Sequence, residues 1–216
     1  MPTIECYLLE QFHQLALPDD YCERLPENQR FRASTLTGKR LQEFYFGRLL
    51  LKFACQQSIE ADKTEIIERE NDAPWLHDHN GKPIANSITH SPHWLGVIVC
   101  GDTDVDNIGI DIETIRDNWT VEKAALFCNQ AQIEESLTIQ DAALRNRFYT
   151  HLWTQKEAHF KAGGEHIFNT SNALKEESLT HTEYLDQHSV MSIYCPETAV
   201  ININKVSLID NKLTIS

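Results

Sequence analysis

The segment Ile108-Gly109-Ile110-Asp111-Ile112-Glu113 alternates apolar and acidic residues. In an extended strand Asp111 and Glu113 share a face. Two carboxylates at the end of an apolar strand are costly unless solvated or neutralised. Hard oxygen donors of this kind suit Mg²⁺ held together with phosphate oxygens, and Mn²⁺ equally. For a D-x-E pair alone, a solvent-facing edge strand is the better explanation. A second segment, Trp153-Thr154-Gln155-Lys156-Glu157-Ala158-His159-Phe160-Lys161, begins forty residues beyond Glu113. Glu157 and Lys161 fall one turn apart on a helix face. They are either a routine surface pair or a third metal carboxylate beside a phosphate-holding cation. Trp153 and Phe160 are expected to be core residues that fix this helix. Upstream, Asn86-Ser87-Ile88-Thr89-His90-Ser91 ends a strand-like pattern in a histidine and a hydroxyl, both able to donate to phosphate. A lone histidine is more often structural. Lys82, within Gly81-Lys82-Pro83, is a flexible point charge in a constrained loop.

The elements that must position these residues follow from periodicity. Ile4 to Leu9 reads as a short strand. Leu36 to Gln57 reads as a helix, with Leu41, Phe44, Tyr45, Leu49 and Phe53 at helical spacing and Arg40 and Arg48 sharing one face two turns apart. Asp72 to Pro83 is expected to be a loop, broken by Pro74, Asn80-Gly81 and Pro83. Ser87–Thr89, Trp94–Cys100 and Ile108–Ile112 read as strands. The polar turn Gly101–Asn107 suggests that the last two form an antiparallel hairpin. Val121–Phe127 and Ala142–Ala162 read as helices, the latter stopped by Gly163-Gly164. Val190–Tyr194, Ala199–Asn204 and Lys205–Ile209 read as strands. This order predicts an α+β chain rather than a βαβ repeat, with a midpoint near residue 105 that divides it into residues 1–105 and 106–216.

Composition narrows the function classes. The 216 residues are 41% hydrophobic and 24% charged, ordinary for a globular chain. No apolar run approaches the ~20 residues of a membrane span, and the N-terminus does not read as a signal peptide. The six cysteines are scattered without a C-x-x-C pair, which predicts free thiols in a reducing cytoplasm. A net charge of −13 argues against a general nucleic-acid binder. Yet Arg24 to Lys52 holds seven Lys or Arg against two acids, a local +5 that leaves −18 for the rest. A basic segment in an acidic chain points to a specific anionic ligand or to a solvated helix face.

Singly these signals are weak; their order and spacing are specific. Gly109-Ile110-Asp111-Ile112-Glu113, then Trp153-Thr154-Gln155-Lys156-Glu157-Ala158 with Lys161, preceded by Ser87-Ile88-Thr89-His90-Ser91, resembles the Sfp-type 4′-phosphopantetheinyl transferases. Lys39-Arg40, Glu43-Phe44 and Gly47-Arg48 resemble a helix motif of one branch of that family. The resemblance implies a pseudo-dimer of two similar α+β halves, each a helix packed on a small antiparallel sheet, with the CoA and metal sites in the cleft between them. It implies that Asp111, Glu113 and Glu157 bind Mg²⁺, with Lys161 and His90 on phosphate oxygens. Arg40, Arg48 and Lys82 would hold the 3′-phosphate or pyrophosphate of coenzyme A, with Ser91 and Lys156 also in the cofactor-binding set. Catalysis would rest on Glu157, Lys161 and His90.

The implied partner is an apo acyl or peptidyl carrier protein, whose serine attacks the β-phosphate of CoA. No nucleic acid and no membrane enter this reading, and a monomer is expected. Carrier proteins are typically acidic, so docking would use a local patch; Val121 to Phe127 is a candidate, and core packing explains the same residues equally well. The family's glutamate after an aromatic pair has no counterpart near Leu126-Phe127-Cys128, where Gln130, Ala131 and Gln132 stand. Two other readings compete. His77-Asp78-His79 and His90-Ser91-Pro92-His93 offer imidazoles for a zinc-dependent hydrolase, though not in an H-E-x-x-H helix. A catalytically silent CoA- or carrier-binding protein is the other.

Overall fold

A computed structural model describes residues 1–59, 64–69, 73–102, 104–164, 166–169, 179–196, 198–210 and 212–216. The chain is α+β and forms two compact units, Met1–Asp106 with Thr198–Ser216, and Asn107–Glu197. The division at Asp106 falls beside the expected midpoint. The C-terminal tail, however, returns to the first unit, whereas the sequence pattern assigned everything after residue 105 to the second half.

The first unit is built on a seven-stranded sheet. Its strands are β1 (Thr3–Glu10), β2 (Glu65–Ile67), β3 (Trp75–His77), β4 (Pro83–His90), β5 (Trp94–Cys100), β9 (Val200–Ile209) and β10 (Lys212–Ile215). The order across the sheet is β10-β9-β1-β5-β4-β3-β2. Every pairing is antiparallel except β1 with β9, which is parallel from Thr3↔Val200 to Leu9↔Val206. This sheet is larger than the small antiparallel one expected of each half. Strand β5 is buried at every position, which explains its unbroken apolar run. Asp72, the expected start of the loop, lies outside the described residues. The rest of that segment carries β3 and a turn organised by Asp78, whose carboxylate accepts from the backbone N–H of Asn80 and Lys82 at 2.8 Å each.

Two short helices, α1 (Tyr21–Arg24) and α2 (Glu27–Ser34), precede α3 (Gly38–Ser58). Helix α3 contains no β-branched residue, which favours an uninterrupted 21-residue run, and it ends at extended, β-branched Ile59. It packs against β5 and β1 and buries Leu41, Phe44, Tyr45, Phe46, Leu50, Leu51 and Ala54. Each fully buried side chain of Leu or Phe size contributes about 1.5–3 kcal/mol, so this face is a large part of the unit's core.

The second unit has a three-stranded antiparallel sheet ordered β6 (Gly109–Thr114), β8 (Ser189–Cys195), β7 (Leu179–Tyr184). The expected hairpin between the strands at 94–100 and 108–112 does not form: β5 pairs with β1 and β4, and β6 pairs with β8. The true hairpin is β4–β5, closed by Ser91 N–H donating to Trp94 O at 2.8 Å. Helix α6 (Ala142–Lys161) lies on β6 and β8 and starts at Asp141, whose carboxylate caps the N–H of Leu144. Helix α4 (Val121–Ala124) is shorter than expected. Helix α5 (Gln130–Thr138) was not anticipated, although Asn129 and Gln132 form a reciprocal capping box. The two expected tail strands, Ala199–Asn204 and Lys205–Ile209, are one continuous β9, since no breaker separates them.

Candidate functional site

Strand β6 approaches α6 so closely that a Cβ on Gly109 would fall 1.9 Å from the carbonyl oxygen of Ala158. Gly109, Asp111 and Glu113 share one strand face, so this contact turns both carboxylates toward the helix. Two strand residues span about 6.7 Å, and four helical residues span about 6 Å. Trp153, Glu157 and Lys161, spaced by four, therefore stand in step with the acidic face of β6. Lys161 Nζ pairs with Asp111 Oδ1 at 2.7 Å, and Trp153 Nε1 donates to Glu113 Oε1 at 3.1 Å. The D-x-E and W-x-x-x-E-x-x-x-K spacings thus form one strand–helix interlock within the second unit.

The electrostatics follow from this packing. Burial pushes the Glu113 carboxyl above its ordinary value, and the charge of Asp111 pushes it further, against the pull of Arg116. Glu157 is raised in the same way, first by burial and then by Asp111, while Lys161 opposes the shift. Both glutamates thus feel the charge of Asp111, and Glu157 feels that of Glu113 as well. Arg116 Nη2 meets Glu113 Oε1 at 3.0 Å and lies over the rings of Trp119 and Trp153, 5.2 and 5.6 Å from their centroids. Trp119 is fixed by donating Nε1–H to Thr150 Oγ1 at 2.9 Å. Arg116 and Trp119 escaped sequence reading. The only signal was a cation three residues after Glu113, which in a strand pattern carries no spacing rule.

The donor set is all carboxylate oxygen, which fits Mg²⁺ or Mn²⁺ in kind and not a thiolate- or imidazole-preferring ion. Among the described residues no three such side chains are gathered closely enough to enclose an ion. In this conformation Lys161 and Arg116 stand against the carboxylates.

The remaining residues of the resemblance divide between exposed and engaged positions. In the first unit, Arg40 and Lys82 are exposed. His90 is half exposed at the end of β4, with Nε2 3.3 Å from Glu43 Oε2. Arg48 differs from expectation: it is 8% exposed, makes a bidentate pair with Glu68 at 2.6 and 2.7 Å, and stacks over Phe44. Its guanidinium is engaged by the Glu68 carboxylate. Ser91 is buried, and its Oγ accepts the N–H of Trp94 at 3.3 Å inside the β4–β5 turn. In the second unit, Lys156 is also buried, with Nζ donating to Asn169 O at 3.2 Å and a pKa lowered by burial. That bond ties α6 to the segment that follows it. Phe160, expected in the core, is 43% exposed and meets His166 edge-on. In 121–127, Ala124 and Phe127 are core residues and Leu126 is exposed. Of the imidazoles of the zinc reading, His77 stacks on Trp75 and His90 faces Glu43.

Residues 107–193 match the family model described as the 4′-phosphopantetheinyl transferase superfamily. The Bacillus subtilis 4′-phosphopantetheinyl transferase Sfp is 26% identical over 181 residues, 76% of this chain and 77% of Sfp. A Synechocystis sp. protein described as a candidate 4′-phosphopantetheinyl transferase is 27% identical over 124 residues. That match spans 57% of this chain and 45% of the relative's own length. These similarities support the Sfp-type resemblance carried by the motifs, and the matched 107–193 segment contains the whole strand–helix interlock.

Proposed function

We propose that the protein is an Sfp-type 4′-phosphopantetheinyl transferase that moves phosphopantetheine from coenzyme A to a serine of an apo carrier protein, releasing 3′,5′-ADP. The observation that carries this reading is the interlock of Asp111 and Glu113 with Glu157 and Lys161, lying within the segment that matches the superfamily.

Asp111, Glu113 and Glu157 would hold Mg²⁺, which when bound offsets charge on the pyrophosphate. The carrier serine Oγ forms a bond to the β-phosphorus of CoA as the bridging P–O bond breaks and 3′,5′-ADP leaves. The serine proton passes to a base. Glu157 suits that role, because burial and neighbouring charge make its carboxylate more basic than a solvated one. Lys161, one helical turn from Glu157, supplies a fixed positive charge for oxygens that gain charge in the transfer. In the first unit, the exposed side chains of Arg40, Lys82 and His90 would contact CoA phosphates. Arg48, Ser91 and Lys156 support these elements from buried positions.

The test is intact-mass measurement of apo carrier proteins incubated with the protein, CoA and Mg²⁺, with EDTA and Glu157→Ala controls. A phosphopantetheine-sized gain, abolished by both controls, is the expected result. CoA binding without any gain would favour a silent CoA- or carrier-binding protein. Neither binding nor gain would overturn the transferase reading, and zinc retained through purification would favour a hydrolase.

A further inference from the structure

Two donors converge on one oxygen of Glu113. Arg116 Nη2 donates to Oε1 at 3.0 Å, and Trp153 Nε1 donates to the same atom at 3.1 Å. Among the described residues no hydrogen bond reaches Oε2. The carboxylate is thus pinned by one oxygen, and the other keeps its lone pairs.

The chain that carries Arg116 is itself fixed. Just past the end of β6, Ile115 N–H donates to His188 O at 2.7 Å, and Arg116 N–H donates to Thr150 Oγ1 at 3.3 Å. Thr150 is fully buried on α6, and the same Oγ1 accepts Nε1–H of Trp119. The rings of Trp119 and Trp153 stand 6.1 Å apart between centroids, inclined at 47°. The Arg116 guanidinium lies over both. A planar guanidinium can stack on rings and aim an N–H at the same time, which a lysine ammonium cannot. The Arg116 side chain is 42% exposed, so its hold on Glu113 does not come from filling the core.

We propose that Arg116 is a positioning residue for Glu113: held over Trp119 and Trp153, it fixes Oε1 and leaves Oε2 as the oxygen for a divalent cation. The assignment of Glu113 to that cation rests on the transferase reading. A guanidinium that merely neutralised Glu113 would compete with the cation, and its removal would tighten cation binding. A positioning guanidinium gives the opposite sign, because its removal frees the carboxylate to turn.

The experiment titrates Mn²⁺ alone into the protein and follows the paramagnetic resonance of the free ion. In parallel, NMR in EDTA measures hydrogen exchange of the Trp153 indole N–H, identified by its loss in Trp153→Phe. Wild type, Arg116→Ala and Arg116→Lys are compared, each with a urea midpoint to confirm folding. In Arg116→Ala the Kd for Mn²⁺ is expected to rise about 10- to 100-fold, and the Trp153 indole to exchange faster as its acceptor loosens. Arg116→Lys keeps the charge and loses the fork, so it should recover little of either. Unchanged or tighter Mn²⁺ binding in Arg116→Ala, unchanged indole exchange, or wild-type affinity in Arg116→Lys overturns the proposal. Wild-type protein that binds no Mn²⁺ also overturns it, because Glu113 then holds no metal. The expected changes in Mn²⁺ binding and exchange, with no transfer in the mass assay, support the role of Arg116 and overturn the transferase reading alone.

Discussion

At the scale of single residues, the candidate site is a case of stability set against function. Glu113 and Glu157 are acids whose folded-state pKa values are raised above the ordinary 4.5. Between the unfolded and folded values the native state binds more protons, so stability falls as pH rises through that window and the loss persists above it. In EDTA at about pH 7.5, Glu157→Gln is therefore expected to have a higher Tm than wild type, and the difference should vanish toward pH 4. Mg²⁺ is expected to raise the wild-type Tm and not that of the variant. Calorimetry in both conditions checks this, and equal Tm values in EDTA would contradict the described electrostatics. Arg48 gives the opposite kind of prediction. Removing one partner of a buried pair costs about 3–5 kcal/mol, so Arg48→Ala should lower the urea midpoint strongly. Arg48→Met combined with Glu68→Leu should recover most of the loss. The double variant should keep its KM for CoA, whereas Arg40→Ala should raise KM with little change in stability.

At the scale of elements, the contact between β6 and α6 decides whether the site exists. A methyl at position 109 has no room, because the atoms it meets are helix backbone at Ala158 and Ala162. Overpacking of this kind costs about 3 kcal/mol or more, and it separates Asp111 from Lys161. Gly109→Ala is expected to lower the unfolding midpoint and abolish transfer together, as urea denaturation and the mass assay would read. An unchanged midpoint would mean that β6 does not sit this close to the helix. The hairpin expected between residues 94–100 and 108–112 failed at the same scale. Both strands are apolar and near in sequence, but β5 is covered on both faces and has its edges filled by β1 and β4. Strand β6 finds its partner in β8, some eighty residues on.

At the scale of the whole molecule, the tail completes the first unit. Strand β9 pairs in parallel with β1 over seven register positions, from Thr3↔Val200 to Leu9↔Val206. Asn202 and Asn204 add side-chain bonds to Glu5 at 2.7 and 3.1 Å. Removing residues 198–216 would bare the N–H and C=O groups of β1, an invitation to edge-to-edge aggregation. A chain ending at residue 197 is expected to be insoluble or aggregated, as sedimentation of the expressed protein would show. No helix among the described residues is long and apolar enough to cross a membrane.

The amino-acid sequence by itself determined the α+β class, the long helices near 38–58 and 142–161, and the order of chemistry-bearing residues from His90 to Lys161. These depend on local periodicity and spacing, which a linear chain displays. It also determined that Asp111 and Glu113 share a face, since that follows from the two-residue period of a strand. Tertiary structure decided which cations are offered and which are consumed. Arg48 and Lys156 look as available in sequence as Arg40 and Lys161. Arg48 meets Glu68 from twenty residues away, and Lys156 meets the Asn169 backbone beyond the end of its own helix. Likewise the contacts of Trp119 with Thr150 and of His90 with Glu43 have no periodic signature, because the partners come from separate elements. Burial and long-range pairing depend on how elements pack in three dimensions, and no local pattern encodes them.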